Sequence, residues 1–300
     1  MNTILFDNSH KLRSGWRAAI FLFVFAFAAT LFGLIASSAL NANEHDTSQP
    51  SNISFTVNAI VTLLSALLAG WLCGRLLEQL PFSALGAAFT KGWLKHLLLG
   101  ILIGAVTLGF AVLIAFGAGG ERFTFNPASG VFYSLVISFI VFAAGAAWEE
   151  ALFRGYVLQT FARSDLAWLA ILLTSIIFGL GHFRNPNATV ISTANTILAG
   201  IWFSVAYLKT RDLWLVWGMH LMWNWMQGSV FGIEVSGLTD LTTNPLLKEI
   251  DTGPTWLTGT TYGLEGGIAC TGAILLSMAV IHILPISTTE NTEITELRSQ

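Results

Sequence analysis

Charged residues are scarce in this chain: they make up 10% of its 300 residues, whereas 54% are hydrophobic. A soluble domain carries about 25% charged residues, so water is not the solvent for most of this surface. The mean hydropathy of +0.68 points to lipid instead. We therefore exclude an ordinary soluble domain and expect an integral membrane protein.

A basic excess and a cysteine framework are also missing. The chain has 14 Lys and Arg against 17 Asp and Glu, a net charge of −3, which excludes a nucleic-acid-binding face. Cys73 and Cys270 are the only cysteines, and each lies in an apolar run. We expect both to be buried free thiols, which excludes a disulfide-stapled secreted module.

Long uncharged runs, by contrast, are abundant. Crossing a ~30 Å hydrocarbon core takes about 20 helical residues. The predicted spans are 18–40, 53–74, 97–118, 130 to the region of Glu149, 166–182, 189–208, 213–233 and 266–284. They show no alternation of apolar and polar residues, so the predicted fold is all-α. We expect a polytopic membrane bundle of about eight transmembrane helices rather than a barrel.

The basic residues predict the orientation of this bundle. Eight spans put both termini on one side, together with eleven of the 14 Lys and Arg; Arg122, Arg184 and Lys248 fall on the other side. By the positive-inside rule, both termini are predicted to be cytoplasmic. The expected location is a cell membrane, crossed many times, and a bacterial inner membrane in particular.

Three groups of residues stand out because ionisable or amide side chains occur inside predicted spans. Each charge costs at least ~2.5 to 3.5 kcal/mol at membrane depth, so each needs a partner or a function. The groups are Glu149 and Glu150 with Arg154, Phe178 with His182, and His220 with Asn224.

Spacing assigns different tasks to the two adjacent glutamates. Glu150 and Arg154 are four residues apart, so they share one helical face and can form an ion pair. Glu149 is turned by about 100° and remains available for chemistry. The fourth helix must then continue to about residue 162, so that Glu149 reaches the depth of the polar residues in the later spans. Phe178 lies one turn before His182 and is placed to shield that ring from water.

These residues suggest hydrolysis with water as the nucleophile. A carboxylate among apolar neighbours suits a base that takes a proton from water, which makes Glu149 the candidate. His182 would position or deprotonate the water, and His220 with Asn224 offers donors to an oxyanion. Alternatively, Glu149, His182 and His220 hold one divalent metal, zinc by preference, with an open site for water. Spacing leaves both mechanisms open.

The three groups also match the motifs of a known family. EEALFR at 149–154 fits EExxxR, residues 178–182 fit FxxxH, and residues 220–224 fit HxxxN. In this order they resemble the CPBP family of intramembrane proteases, which takes in type II CAAX prenyl endopeptidases, bacteriocin-processing enzymes and Abi proteins. The likeness covers about residues 130–225, and LRSGWRA at 12–18 is similar to many bacterial members.

This resemblance implies an eight-helix membrane endopeptidase in which Glu149 is the catalytic base and works with His182. It further implies that His220 and Asn224 stabilise the oxyanion, while Glu150 and Arg154 support the site. The family is usually labelled a metalloprotease, and a metal-independent, glutamate-dependent mechanism has also been argued for it. The implied substrate is a membrane-associated protein or peptide, and the CAAX specificity of eukaryotic relatives is not carried over.

Two further function classes remain as alternatives. A non-enzymatic membrane scaffold or bacteriocin-immunity protein would use the bundle to bind a partner. A proton-coupled transporter would use the same intramembrane Glu and His residues, although the sequence shows no inverted repeat.

The predicted domain organisation is simple. Residues 1–285 form one transmembrane domain, with a catalytic core at about 130–233, and residues 286–300 form a polar, disordered cytoplasmic tail. Residues 41–52 form a polar external loop. The Gly- and Thr-rich segment 234–265 either covers the mouth of the bundle or is a plain linker.

Overall fold

A computed structural model describes residues 4–7, 10–41, 52–239 and 241–286. The predicted tail at 286–300 and loop at 41–52 therefore lie almost entirely outside the described residues. Within those ranges the chain forms eight long helices: α1 (Ser14–Asn41), α2 (Asn52–Leu77), α3 (Trp93–Gly117), α4 (Val131–Ala162), α5 (Ala167–His182), α6 (Val190–Thr210), α7 (Leu213–Trp225) and α8 (Ile268–Ile283).

Shorter elements connect these helices. Single turns of helix lie at Phe82–Leu85, Thr255–Thr258, Thr260–Tyr262 and Leu264–Gly266. The strands β1 (Glu121–Phe125) and β2 (Leu247–Asp251) form an antiparallel pair, with Glu121 opposite Asp251. This two-stranded sheet was not predicted from the sequence.

The outward faces of the helices are apolar. Phe23, Leu102 and Phe132 are each more than half exposed, an arrangement suited to lipid contact. By length and composition, α1, α2, α3, α4 and α6 can cross a membrane, while α5 and α8 are shorter apolar helices of 16 residues. These features confirm the predicted helical membrane bundle; eight spans and cytoplasmic termini stay predictions.

Local capping sets where α6 and α7 begin. At the start of α6, the Ser192 N–H donates to Thr189 Oγ1 at 3.0 Å, and the Thr189 N–H donates to Ser192 Oγ at 2.7 Å, a reciprocal capping box. At the start of α7, Asp212 accepts a hydrogen bond from the Leu215 N–H at 3.3 Å. The same carboxylate pairs with His96 near the start of α3. The beginnings of α3 and α7 are therefore tied together.

Glycines let α3 and α7 pack closely. A Cβ added at Gly218 would lie 2.6 Å from the Leu97 carbonyl oxygen, and one added at Gly104 would clash with the backbone of Met219. Small residues at a helix interface allow this backbone approach in membrane proteins. The packing fixes α7, which carries His220 and Asn224.

Helix α4 runs without interruption to Ala162, which confirms the predicted continuation past Glu149. Its segment Ala151–Val157 is π-helical and begins directly after Glu150. A second π-helical segment, Met226–Phe231, begins two residues after Asn224. Such insertions are rare and are often found at functional sites.

Residues 232–266, here called the mouth segment, pack across one end of the bundle. Strand β2 of this segment pairs with β1, and the Asn185 amide donates to the Ser236 carbonyl at 3.0 Å. The Asn195 amide of α6 likewise donates to the Glu265 carbonyl at 2.8 Å. The segment therefore covers the bundle mouth, and the alternative of a plain linker is wrong.

Candidate active site

The three motifs meet at one cavity of about 90 Å³ inside the bundle. Glu149 from α4, His182 from α5, and His220 and Asn224 from α7 all line it. Because a water molecule needs about 10 to 15 Å³ of such space, the cavity has room for several. The structure thus brings together the four residues that were predicted from the sequence to be catalytic.

The two adjacent glutamates occupy different layers of the site. Glu149 lines the cavity with 17% of its side chain exposed, and its Oε2 has no hydrogen-bond partner among the described residues. Glu150 is 1% exposed and lies behind His220. Its Oε1 accepts from Arg154 Nη1 at 3.1 Å and from His220 Nδ1 at 2.8 Å. The predicted Glu150–Arg154 ion pair is therefore present.

Arg154 is fully buried and connects α4 to α6. Its Nη2 donates to the Gly200 carbonyl at 2.9 Å. The guanidinium lies 5.0 Å from the ring centroid of Phe178 and 5.3 Å from that of Phe203. Since an unpaired buried charge is very unfavourable, Glu150 and the two aromatic faces together make this position tolerable.

His220 is held on two sides, which orients its free ring nitrogen. The carboxylate of Glu150 can only accept, so the proton of that hydrogen bond lies on His220 Nδ1. The ring stacks on Phe203 with centroids 4.8 Å apart. Nε2 then faces Glu149 Oε2 at 3.8 Å. This is too long for a direct hydrogen bond, but one water can reach both atoms.

His182 is oriented in a similar way. Its Nδ1–H donates to the Phe178 carbonyl at 2.8 Å, so in the neutral ring the lone pair lies on Nε2. The Phe178 ring packs on the imidazole with centroids 4.7 Å apart, as predicted. His182 can therefore offer an acceptor to water in the cavity.

Glu265 lines the same cavity and was not predicted from the sequence. Its carboxylate accepts from Trp223 Nε1 at 3.2 Å, from the Ser236 N–H at 2.6 Å and from the Ser236 hydroxyl at 2.9 Å. Burial raises the pKa of this carboxyl above its ordinary value, against the effects of Ser236, His182 and Trp223. The available signal was a carboxylate one residue before the predicted span at 266–284.

The cavity offers donor groups of the right type for a metal ion, but these groups are not all close together. Glu149, His182 and His220 offer the carboxylate and imidazole groups that zinc binds, and the Nδ1 hydrogen bonds of both histidines resemble those that orient metal ligands. Among the described residues, however, no three His, Cys, Asp or Glu side chains are grouped closely enough to hold a metal ion.

A comparison with known protein families gives a match to the central part of the chain. Residues 130–226 match the family described as "Type II CAAX prenyl endopeptidase Rce1-like", and this range contains all three motifs. A comparison with curated proteins gives no match. The family match confirms the predicted resemblance and supports a CAAX-type intramembrane protease. The chain is thus a multi-pass membrane protein whose residues 130–226 are similar to the type II CAAX prenyl endopeptidase Rce1-like family.

Proposed function

We propose that this protein is an intramembrane endopeptidase that hydrolyses a peptide bond of a membrane-associated protein or peptide, using water activated by Glu149. The observation that carries the proposal is Glu149 Oε2, which accepts no hydrogen bond from the described residues and lies 3.8 Å from His220 Nε2 at a cavity with room for water. Glu150 holds the opposite side of the same imidazole ring.

The first step is attack by water on the substrate. Glu149 takes one proton from the water, and the oxygen attacks the carbonyl carbon of the scissile bond. His182 Nε2 accepts the second hydrogen of the water and so directs its lone pair at the carbon. General-base help of this kind contributes about 10² to 10⁴ in rate.

The second step is stabilisation and collapse of the tetrahedral intermediate. The Asn224 amide and His220 Nε2–H donate to the oxyanion. Because His220 Nδ1–H already donates to Glu150, this requires the doubly protonated ring, whose positive charge is balanced by the Glu150 carboxylate. The C–N bond then breaks, and Glu149 returns its proton to the departing amine nitrogen.

In the alternative mechanism, the same hydrolysis uses a divalent metal, zinc by preference. Glu149, His182 and His220 would have to move closer together to hold it, and it would then supply polarisation of the carbonyl and a more acidic bound water. Elemental analysis of the purified protein, combined with cleavage assays after chelation, separates the two versions. A stoichiometric metal whose removal abolishes cleavage and lowers thermal stability would favour the metal.

The expected setting is a bacterial inner membrane with both termini in the cytoplasm. The asymmetric distribution of Lys and Arg between the two sides of the bundle supports this orientation. The expected partners are the lipid bilayer and a membrane protein or peptide substrate, and no nucleic acid.

The test can be run while the substrate is still unidentified. Peptide termini are compared in membranes from cells that carry the native chain or Glu149→Gln at matched abundance. We expect new termini with the native chain only, and these would reveal the substrate and the cleavage site. Identical termini under several growth conditions, with the variant folded, would favour the alternative of a scaffold or bacteriocin-immunity protein.

A further inference from the structure

A tight turn of the mouth segment forms one wall of the cavity. This mouth turn, residues 235–238, is closed by a bridge between Val235 and Leu238, and Val235, Ser236 and Leu238 line the cavity. Ser236 has φ = +51°, in the left-handed region that residues other than glycine rarely adopt. Such a conformation persists only where the surroundings fix it, and it is concentrated at active sites and ligand clamps.

Glu265 accepts two of the hydrogen bonds that fix this turn. Both the N–H and the hydroxyl of Ser236 donate to Glu265 Oε2, at 2.6 and 2.9 Å. The Ser236 carbonyl accepts from the Asn185 amide at 3.0 Å, and the Gly237 N–H donates to the Tyr262 carbonyl at 2.8 Å. Each of these contacts joins segments that are far apart in the sequence.

Glu265 is itself tied to the catalytic helices. Its Oε1 accepts from Trp223 Nε1 at 3.2 Å, and Trp223 directly precedes Asn224 on α7. Its backbone carbonyl accepts from the Asn195 amide of α6 at 2.8 Å. The carboxylate thus connects α7 to the mouth turn beside the cavity.

We propose that Glu265 is a positioning residue, which holds the mouth turn as the wall that receives the substrate next to the scissile bond. The inference rests on the proposed endopeptidase function. Val235 and Leu238 of this turn, together with Leu241 beyond it, line the cavity, so the substrate residue received there is apolar. Glu265 lies outside the family-matched range of residues 130–226, and its two hydrogen bonds from Ser236 are here called the clamp.

Glu265→Ala and Glu265→Gln form a matched pair for the test. Alanine removes all three hydrogen bonds. Glutamine keeps a carbonyl oxygen for both Ser236 donors and loses only the bond from Trp223, because its amide nitrogen cannot accept. A clamp that works through hydrogen bonds is therefore largely restored by glutamine, whereas a residue that works through its charge is not.

The first measurement is hydrogen exchange of the mouth turn in the full-length protein in lipid nanodiscs, which needs no substrate. We expect Glu265→Ala to speed exchange of the Ser236 amide at least about tenfold, and Glu265→Gln to stay close to native. Unchanged protection of the Ser236 amide in Glu265→Ala would overturn the clamp.

The second measurement is cleavage of the substrate identified by its new termini. We expect Glu265→Ala to raise KM about tenfold or more with kcat changed only a few-fold, and Glu265→Gln to restore KM. Equal loss of kcat in both variants would overturn the positioning role and indicate a role for the charge. Native kinetics in Glu265→Ala would also overturn it. Absence of cleavage by the native chain would instead refute the endopeptidase function, while the exchange comparison still decides the clamp.

Discussion

The motif helices and the mouth segment line the same cavity but are organised in different ways. On α4 and α5, residues four apart contact each other, as Glu150 contacts Arg154 and His182 contacts Phe178. In the mouth segment, the contacts join distant positions, as Glu265 joins Ser236. The comparison suggests that the reactive groups sit on rigid helices, where spacing sets geometry, whereas the substrate wall depends on long-range hydrogen bonds.

The largest expected effect is a loss of cleavage in Glu149→Gln. This loss should occur without the loss of stability expected for the structural residues around Glu149. Glu149→Gln should lower single-turnover cleavage by about 10² to 10⁴. Apparent Tm should stay native, because Glu149 Oε2 has no hydrogen-bond partner among the described residues to lose. Cleavage and thermal unfolding measured on one preparation check this. Cleavage within a few-fold of native would show that Glu149 is not the base.

Arg154→Met, unlike Glu149→Gln, should lower the stability of the fold. Removing the guanidinium leaves the buried Glu150 carboxylate with one partner fewer, which should destabilise the fold by about 3 to 5 kcal/mol. Apparent Tm should fall, and cleavage should fall with it. In the control, Glu150→Gln combined with Arg154→Met should recover much of the lost Tm. A native Tm in Arg154→Met alone would argue against a structural role for the ion pair.

Asn224→Ala tests the oxyanion assignment within the motif helices. The loss of one donor to the developing charge should reduce kcat by about 10² to 10³ while substrate binding changes little. Steady-state kinetics separate kcat from KM. A rise in KM at native kcat would place Asn224 in substrate binding instead.

The smallest expected effect is a pH dependence of stability, which arises in the two-stranded sheet of β1 and β2. Glu121 is buried, and burial together with the charge of Asp251 raises its pKa from 4.5 to about 8. Burial and the charges of Glu121, Glu234 and Asp251 raise the pKa of Glu249 to about 9. Between pH 4.5 and about 8 the folded state binds more protons than the unfolded state, so the free energy of unfolding falls as pH rises.

Glu121→Gln should flatten this pH dependence. The variant should gain apparent Tm over the native chain at about pH 8 and show little gain at about pH 5, because glutamine does not ionise. Thermal unfolding in the same lipid from about pH 5 to 9 measures the slope. Parallel curves for the two proteins would show that Glu121 does not titrate in this window.

Much of the helical part was predictable from the sequence, because its signals are local. The predicted spans 53–74 and 213–233 correspond to α2 and to α7 with its π-helical segment, within a few residues at each end. The Glu150–Arg154 pair and the turning away of Glu149 follow from helical periodicity alone. The meeting of the motifs in one cavity followed from the helix lengths once α4 was allowed to reach Ala162.

The remaining features depend on contacts that no local pattern encodes. Strand β1 is five residues long, and its partner β2 lies far away in the sequence, beyond four further helices. No local pattern in the sequence predicted the π-helical geometry of Ala151–Val157. Glu265 lies outside the predicted spans, and its place in the site depends on contacts with Ser236 and Trp223 that are distant in the sequence.

The central claim is that the cavity cleaves what it binds and that Glu149 supplies the base. Its most direct test follows bound substrate and cleaved product together, by mass spectrometry of the native chain and Glu149→Gln in lipid nanodiscs. We predict product from the native chain only, with equal affinity for substrate in both proteins. Product at the native rate from Glu149→Gln, or binding without product by the native chain, would contradict the account.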